Sequence, residues 1–211
     1  MKNGNQQLPT SADRVASRHG RGPLRRPEKE TRPFQQGYLD GLCGVYAIIN
    51  ATRAATQPYA RLNTSDWIDL FHVLILEAEE RSALADTITD GVRYHLMSQL
   101  LHTTSQWVGD GWELTMKHRK PFHRRLNTPL SEVIDCISEH LSETGTSAIF
   151  ATEGRWSHYT AVKRITPRSI ILNDSGGLRH FRLQSCDTRP TETSGRSLRI
   201  FPTCVYLLRV S

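Results

Sequence analysis

The residues of this chain best suited to chemistry fall in three short runs. The first is Gln36-Gly37-Tyr38-Leu39-Asp40-Gly41-Leu42-Cys43-Gly44. Cys43 opens an apolar, small-residue run ending near Arg53, which predicts a buried helix after a turn made by Asp40 and Gly41. A thiol at that end meets unpaired N–H groups and the positive pole of the helix dipole, which favour the thiolate. Gly44 would let a ligand or another chain segment approach the sulfur. The second run is Trp156-Ser157-His158-Tyr159-Thr160-Ala161-Val162. There His158 opens a strand, where an imidazole can face a cleft and exchange protons near neutral pH. The third is Ile170-Ile171-Leu172-Asn173-Asp174-Ser175-Gly176-Gly177, a strand ending in two side chains able to orient an imidazole. Each run has an ordinary reading as well: a packing cysteine, a surface histidine, a plain turn.

Register joins the second and third runs. Thr166-Pro167 marks a turn, and a short loop centred on Thr166 sets His158 opposite Asp174 on one face. Opposed β-carbons lie about 4.5–5.5 Å apart, within reach of a carboxylate–imidazole contact. Asn173 then points to the other face, and a one-residue slip or bulge would exchange the two. Asp174 is the favoured orienting group and Asn173 the second choice. Cys43 becomes a nucleophile for an acyl carbon, His158 its base and later acid, and Asp174 the group that holds the imidazole tautomer. The oxyanion of such a reaction needs donors, and the Cys43 backbone N–H and the Gln36 side-chain amide are the candidates, with Gln35 as an alternative.

The elements that must position these residues are mainly helical first and stranded last. An N-cap cluster, Asn63-Thr64-Ser65-Asp66, opens a helix running to about Arg81. A further helix is expected from about Asp90 to His102, a short strand over Trp112 to Lys117, and a basic loop over Lys117 to Arg125. Trp107, Trp112 and a loop around Gly109-Asp110-Gly111 would line a substrate cleft or clamp the core. Thr128-Pro129 opens a helix ending near Ser142. Strands are expected over Ser147–Thr152, Ser157–Arg164, Ser169–Asn173, Arg179–Leu183 and Cys204–Val210. This order implies α+β, with an N-terminal helical part packed on a C-terminal antiparallel sheet.

Composition narrows the function classes. The chain has 211 residues, 37% of them hydrophobic, and a net charge of +6. Eight Lys/Arg against three acids place five of those charges in residues 1–33. That segment reads as a disordered basic tail, leaving 34–211 as one nearly neutral domain. A nucleic-acid partner is not expected except through the tail. No membrane span and no Sec-type signal peptide are expected, so the location reads as cytoplasmic, or exported by another route. The cysteines Cys43, Cys136, Cys186 and Cys204 are widely spaced and form no C-x-x-C pair, so neither a disulfide scaffold nor a zinc site is expected. No cofactor motif is present.

The order Gln36…Cys43-Gly44…His158…Asp174 resembles the papain-like cysteine peptidase superfamily. It is most similar to the compact bacterial branch that includes the leader-cleaving domains of bacteriocin exporters. The likeness spans roughly residues 34–180. It implies a papain-like fold, with Cys43 as nucleophile, His158 as base, Asp174 as third member and Gln36 at the oxyanion. It further implies a thiol hydrolase acting on a peptide or isopeptide bond of a protein or peptide substrate. Deamidation of a protein glutamine, transglutamination, or a non-catalytic binding module are the alternatives. The chain departs from the family in a Gln-to-Cys spacing one residue longer than usual and in Ser175, rather than Pro, after the Asp. Ubiquitin-like-protein proteases share the Cys-Gly-Val-Tyr helix start, but their His and Asp precede the Gln and Cys.

Overall fold

A computed structural model describes residues 32–37, 40–82 and 84–211. The basic tail expected over 1–33 lies outside the described residues except for Arg32 and Pro33, which carry no regular structure. The described chain is α+β, with six helices and an open, mostly antiparallel sheet.

The helices come first. Helix α1 covers Cys43–Thr56, α2 Thr64–Arg81, α3 Leu84–Asp90 and α4 Tyr94–Trp112. Helix α2 starts where the cap cluster predicts. The Asn63 side chain accepts from the Ser65 and Asp66 N–H groups, and the Asp66 carboxylate accepts from the Asn63 N–H. The helix expected over Asp90–His102 is displaced. Gly91, at φ +86, breaks the chain after α3, and α4 begins at Tyr94 and continues to Trp112. It therefore absorbs Gly109-Asp110-Gly111, which is not a loop. Trp107 packs against Trp112 at 4.3 Å between ring centroids and against Trp67 of α2 at 6.0 Å, both in tilted geometry. Aromatic packing of this kind offsets the cost of two helical glycines, about 1 kcal/mol each. The tryptophans are thus a clamp between α2 and α4.

Strand β1 is Met116–Arg119, later than expected because α4 runs to Trp112. It takes Lys117 to Arg119 out of the expected loop by pairing with the last strand. Helix α5 spans Leu130–Leu141. Then follow β2 Thr146–Gly154, β3 His158–Ile165, β4 Ser169–Asn173, β5 His180–Arg182 and β6 Cys186–Asp187. Helix α6 at Thr191–Ser194, β7 at Leu198–Ile200 and β8 at Tyr206–Val210 complete the chain. The main sheet order is β1-β8-β2-β3-β4-β5, with β7 also on β2 and the short β6 parallel to β7. β6, α6 and β7 are too short to show a period in the sequence.

The sheet has two covered faces. Helix α1 packs on β2, β3 and β8, with α2 and α4 behind it, around Ile48, Ile149, Ala161, Tyr206 and Leu208. Helix α5 covers the other face through Val133 and Ile137, against Phe150, Val162, Ile170 and Leu172. No helix among the described residues is long and apolar enough to cross a membrane.

The β3–β4 hairpin differs in register from the sequence expectation. Its turn is Pro167-Arg168, closed by reciprocal bonds between Thr166 and Ser169 at 2.9 and 3.3 Å. Ile165 faces Ile170 and Arg164 faces Ile171; then Lys163 is an extra residue, and Val162 faces Leu172 and Ala161 faces Asn173. His158 therefore does not stand opposite Asp174. Continued past the end of β4, this register sets Asp174 level with Thr160, diagonal to His158 and of the same parity. The shift from expectation is two positions, and a two-position shift preserves the face.

Candidate active site

Cys43 is the first residue of α1, as its position after the Asp40-Gly41 turn predicts. Asp40 builds that turn. Its carboxylate accepts the Gly37 and Leu42 N–H groups at 3.0 and 3.1 Å. The first bond of the helix runs from the Tyr46 N–H to the Leu42 carbonyl, and no side chain caps the helix. The N–H groups of Cys43 and Gly44 thus precede the helical ladder and point toward the sulfur's end of the helix. Gly44 serves packing, in place of the expected approach to the sulfur. A β-carbon there would sit 2.7 Å from Cβ of Val92, which fills the space. Gly41 is equally constrained: its N–H bonds the Ile88 carbonyl at 2.5 Å, and a β-carbon would strike the Ile88 carbonyl and the Gly91 N–H.

His158 opens β3 at the sheet end where α1 begins, and its ring bridges two partners 131 residues apart in the chain. Nε2 lies 2.6 Å from Oδ1 of Asp174, and the ring also interacts with Cys43. The Tyr159 N–H also points at the Cys43 sulfur, at 3.5 Å. That N–H is available because β4 ends opposite Ala161, two residues short of Tyr159. Burial on its own would lower the His158 pKa. The hydrogen bonds to Asp174 and Cys43 and the charges of both outweigh it and raise the value to about 9. The imidazolium is therefore the favoured form at neutral pH.

The Asp174 side chain is fully buried. Its second oxygen accepts the Gly176 N–H at 2.7 Å and the Leu178 N–H at 3.0 Å. Burial would push this carboxyl up, yet the bond from His158, the His158 charge and the Leu178 N–H together hold it below the ordinary range. A β-carbon on Gly176 would stand 3.2 Å from Asp174 Oδ2 and 3.7 Å from the His158 ring. Asn173 faces the other way, and its amide donates to the Asn50 carbonyl of α1 at 3.5 Å.

The extended segment 32–37 straps the site together. Asn50, wholly buried on α1, accepts from the Phe34 N–H at 2.8 Å and donates to the Phe34 carbonyl at 3.1 Å. The Gln36 N–H donates to the Ser175 carbonyl at 3.1 Å, and its side-chain oxygen accepts from the Ser175 hydroxyl at 3.4 Å. Its side-chain amide donates to the Asp40 carbonyl. Gln36 therefore ties the Asp174 turn to the start of α1. Gln35 instead directs its amide to the Asp174 and Pro33 carbonyls, at 3.3 and 3.4 Å.

The fold brings together Cys43, His158 and Asp174, with Gln36 beside them. Asn173 and Gln35 are turned to other partners. Three contributors were not foreseen: Asn50, Ser175 and the Tyr159 N–H. Asn50 alone had a legible signal, as an amide amid the apolar run Ala47-Ile48-Ile49, two turns after Cys43 and on its face. The remaining cysteines are free thiols. Burial pushes the thiols of Cys136 and Cys204 up, and that of Cys186 to about 11. The chain matches no family model, no curated protein and no solved structure.

Proposed function

We propose that this protein is a thiol hydrolase of papain-like architecture that cleaves a peptide or isopeptide bond through Cys43, His158 and Asp174. The observation that carries the reading is His158 held between a cysteine at a helix start and a buried carboxylate. Ordinary packing has no need of that arrangement. A buried Asp with three hydrogen bonds to one histidine and two N–H groups fixes both ring orientation and tautomer.

The reaction follows from the atoms present. The Cys43 sulfur, as thiolate, attacks the carbonyl carbon and forms an S–C bond. The C–N bond breaks, and the His158 imidazolium gives its proton to the leaving amine. Water then attacks the thioester and yields its proton to neutral His158. The S–C bond breaks, releasing the acid and restoring the thiolate–imidazolium pair. The Cys43 N–H and an amide hydrogen of Gln36 serve the oxyanion, Gln36 keeping its bond to the Asp40 carbonyl with its other hydrogen.

The test is alkylation by iodoacetamide at pH 6, with mass spectrometry of each cysteine. Cys43 should react faster than N-acetylcysteine and than Cys136, Cys186 or Cys204, and lose that advantage in His158→Ala. A Cys43 no faster than N-acetylcysteine, and indifferent to His158→Ala, overturns the reading. Proteins captured on Cys43→Ser then name the substrate.

A further inference from the structure

We infer that a small basic pocket at the segment leading into His158 receives an anionic group, a carboxylate or a phosphate monoester, on the polypeptide substrate. This rests on the reading of Cys43 as the nucleophile. The pocket, of about 170 Å³, is lined by Arg155, Trp156, His180, Arg182, Ser185 and Ser197, together with the buried Phe181 and Leu198.

Charge is the first ground. Arg189 pairs with Asp187 at 2.8 Å and Arg199 with Glu153 at 3.1 Å, and Arg196 donates to the Gln184 carbonyl. Arg155 and Arg182 are exposed and have no acidic partner among the described residues, and no acid lines the pocket. Arg155, Arg182 and His180, with two serines, gather hydrogen-bond donors around one cavity that no carboxylate lines. A carboxylate or phosphate supplies the acceptor that guanidinium geometry favours.

Position is the second ground. Trp156 precedes His158 by two residues. The Thr152 hydroxyl donates to the Trp156 carbonyl at 2.7 Å and reaches the His158 carbonyl at 3.3 Å, which fixes this wall relative to the catalytic ring. His180 follows Leu178 by two residues, and the Leu178 N–H holds Asp174. Both lining segments thus adjoin the His158–Asp174 pair along the chain. Size is the third ground. The cavity falls short of the ~300–1,000 Å³ of pockets for drug-sized ligands and is on the scale of one side chain. Trp156, 44% exposed, offers an aromatic wall for the methylenes that carry the charge.

The experiment uses tetrapeptide acyloxymethyl ketones, which alkylate an active-site cysteine. Glu, phosphoserine, Gln or Lys is placed at each position in turn on an alanine background. The readout is the second-order rate of Cys43 modification by the full chain. At one position Glu or phosphoserine should outrun Gln by about tenfold or more, the scale of one charge-assisted hydrogen bond. A larger gain for phosphoserine assigns the pocket to phosphate, and otherwise to carboxylate. The gain should vanish in Arg155→Gln/Arg182→Gln, whose side chains lie at the surface, while the Gln probe keeps its rate. In wild type it should shrink as salt rises from 0.05 to 0.5 M. Equal rates for Glu and Gln at every position, or a preference that survives the double substitution, overturn the inference while leaving Cys43 as nucleophile. Failure of every probe to modify Cys43 overturns both.

Discussion

Asp174→Asn separates charge from shape at the proposed site. The carboxamide keeps an oxygen for the Gly176 and Leu178 N–H groups but removes the anion facing His158. In the wild type the His158 pKa stands near 9 against an ordinary 6.5. At about 1.4 kcal/mol per unit, that is on the order of 3 kcal/mol favouring the imidazolium, shared between Asp174 and Cys43. Loss of the Asp174 share should move the titration down by a unit or more. At pH 8 the imidazolium population would fall from roughly nine-tenths toward one-half or less. Two-dimensional NMR of the histidine rings reads this directly, and the pH profile of Cys43 alkylation reads its consequence. A wild-type His158 titrating near 6.5, or a value near 9 that survives Asp174→Asn, would refute the electrostatic reasoning. The same pair shapes stability. The folded pKa of His158 is raised, so its contribution is complete below about 6.5 and disappears as pH climbs through about 9. The folded pKa of Asp174 is lowered, so its contribution is complete above the usual carboxylate range and disappears as pH falls through that lowered value. Both act fully in the mildly acidic range between.

Four further outcomes are expected. Gly44→Ala drives a methyl into Val92 and should cost about 1–3 kcal/mol in urea unfolding, with partial rescue by Val92→Ala. Asn50→Ala strips both bonds from the Phe34 backbone and should cost about 1–3 kcal/mol, measured the same way. Gln36→Ala should lower turnover of the captured substrate by ~10²–10³, whereas Gln35→Ala, whose amide serves the Asp174 carbonyl, should change it far less. Deleting Lys163 removes the bulge in β3 but leaves Val162 facing Leu172 and Asp174 level with Thr160, so a chain that still shows native circular dichroism should keep the raised His158 titration.

Local chemistry made much of this protein legible in its sequence. The Asn63–Asp66 cap sets the start of α2, the Asp40-Gly41 turn sets Cys43 at the start of α1, and the alternation in Ser169–Asn173 marks β4 with its observed ends. These depend on contacts within a few residues, which a linear pattern carries. Other features depend on distant partners. Gly44 is bare because Val92 needs the space, α4 runs through two glycines because Trp107 packs between Trp67 and Trp112, and the Gln36 amide is drawn to Asp40. The choice between Asp174 and Asn173 was decided at the same level. The turn at Pro167-Arg168 starts the hairpin in a register that would bring Asn173 to the His158 face. One extra residue, Lys163, moves the pairing by one and brings Asp174 there instead. A strand's side chains alternate with a period of two, so a single bulge exchanges the faces of everything beyond it. That bulge is a property of the paired strands and has no signature in either strand alone.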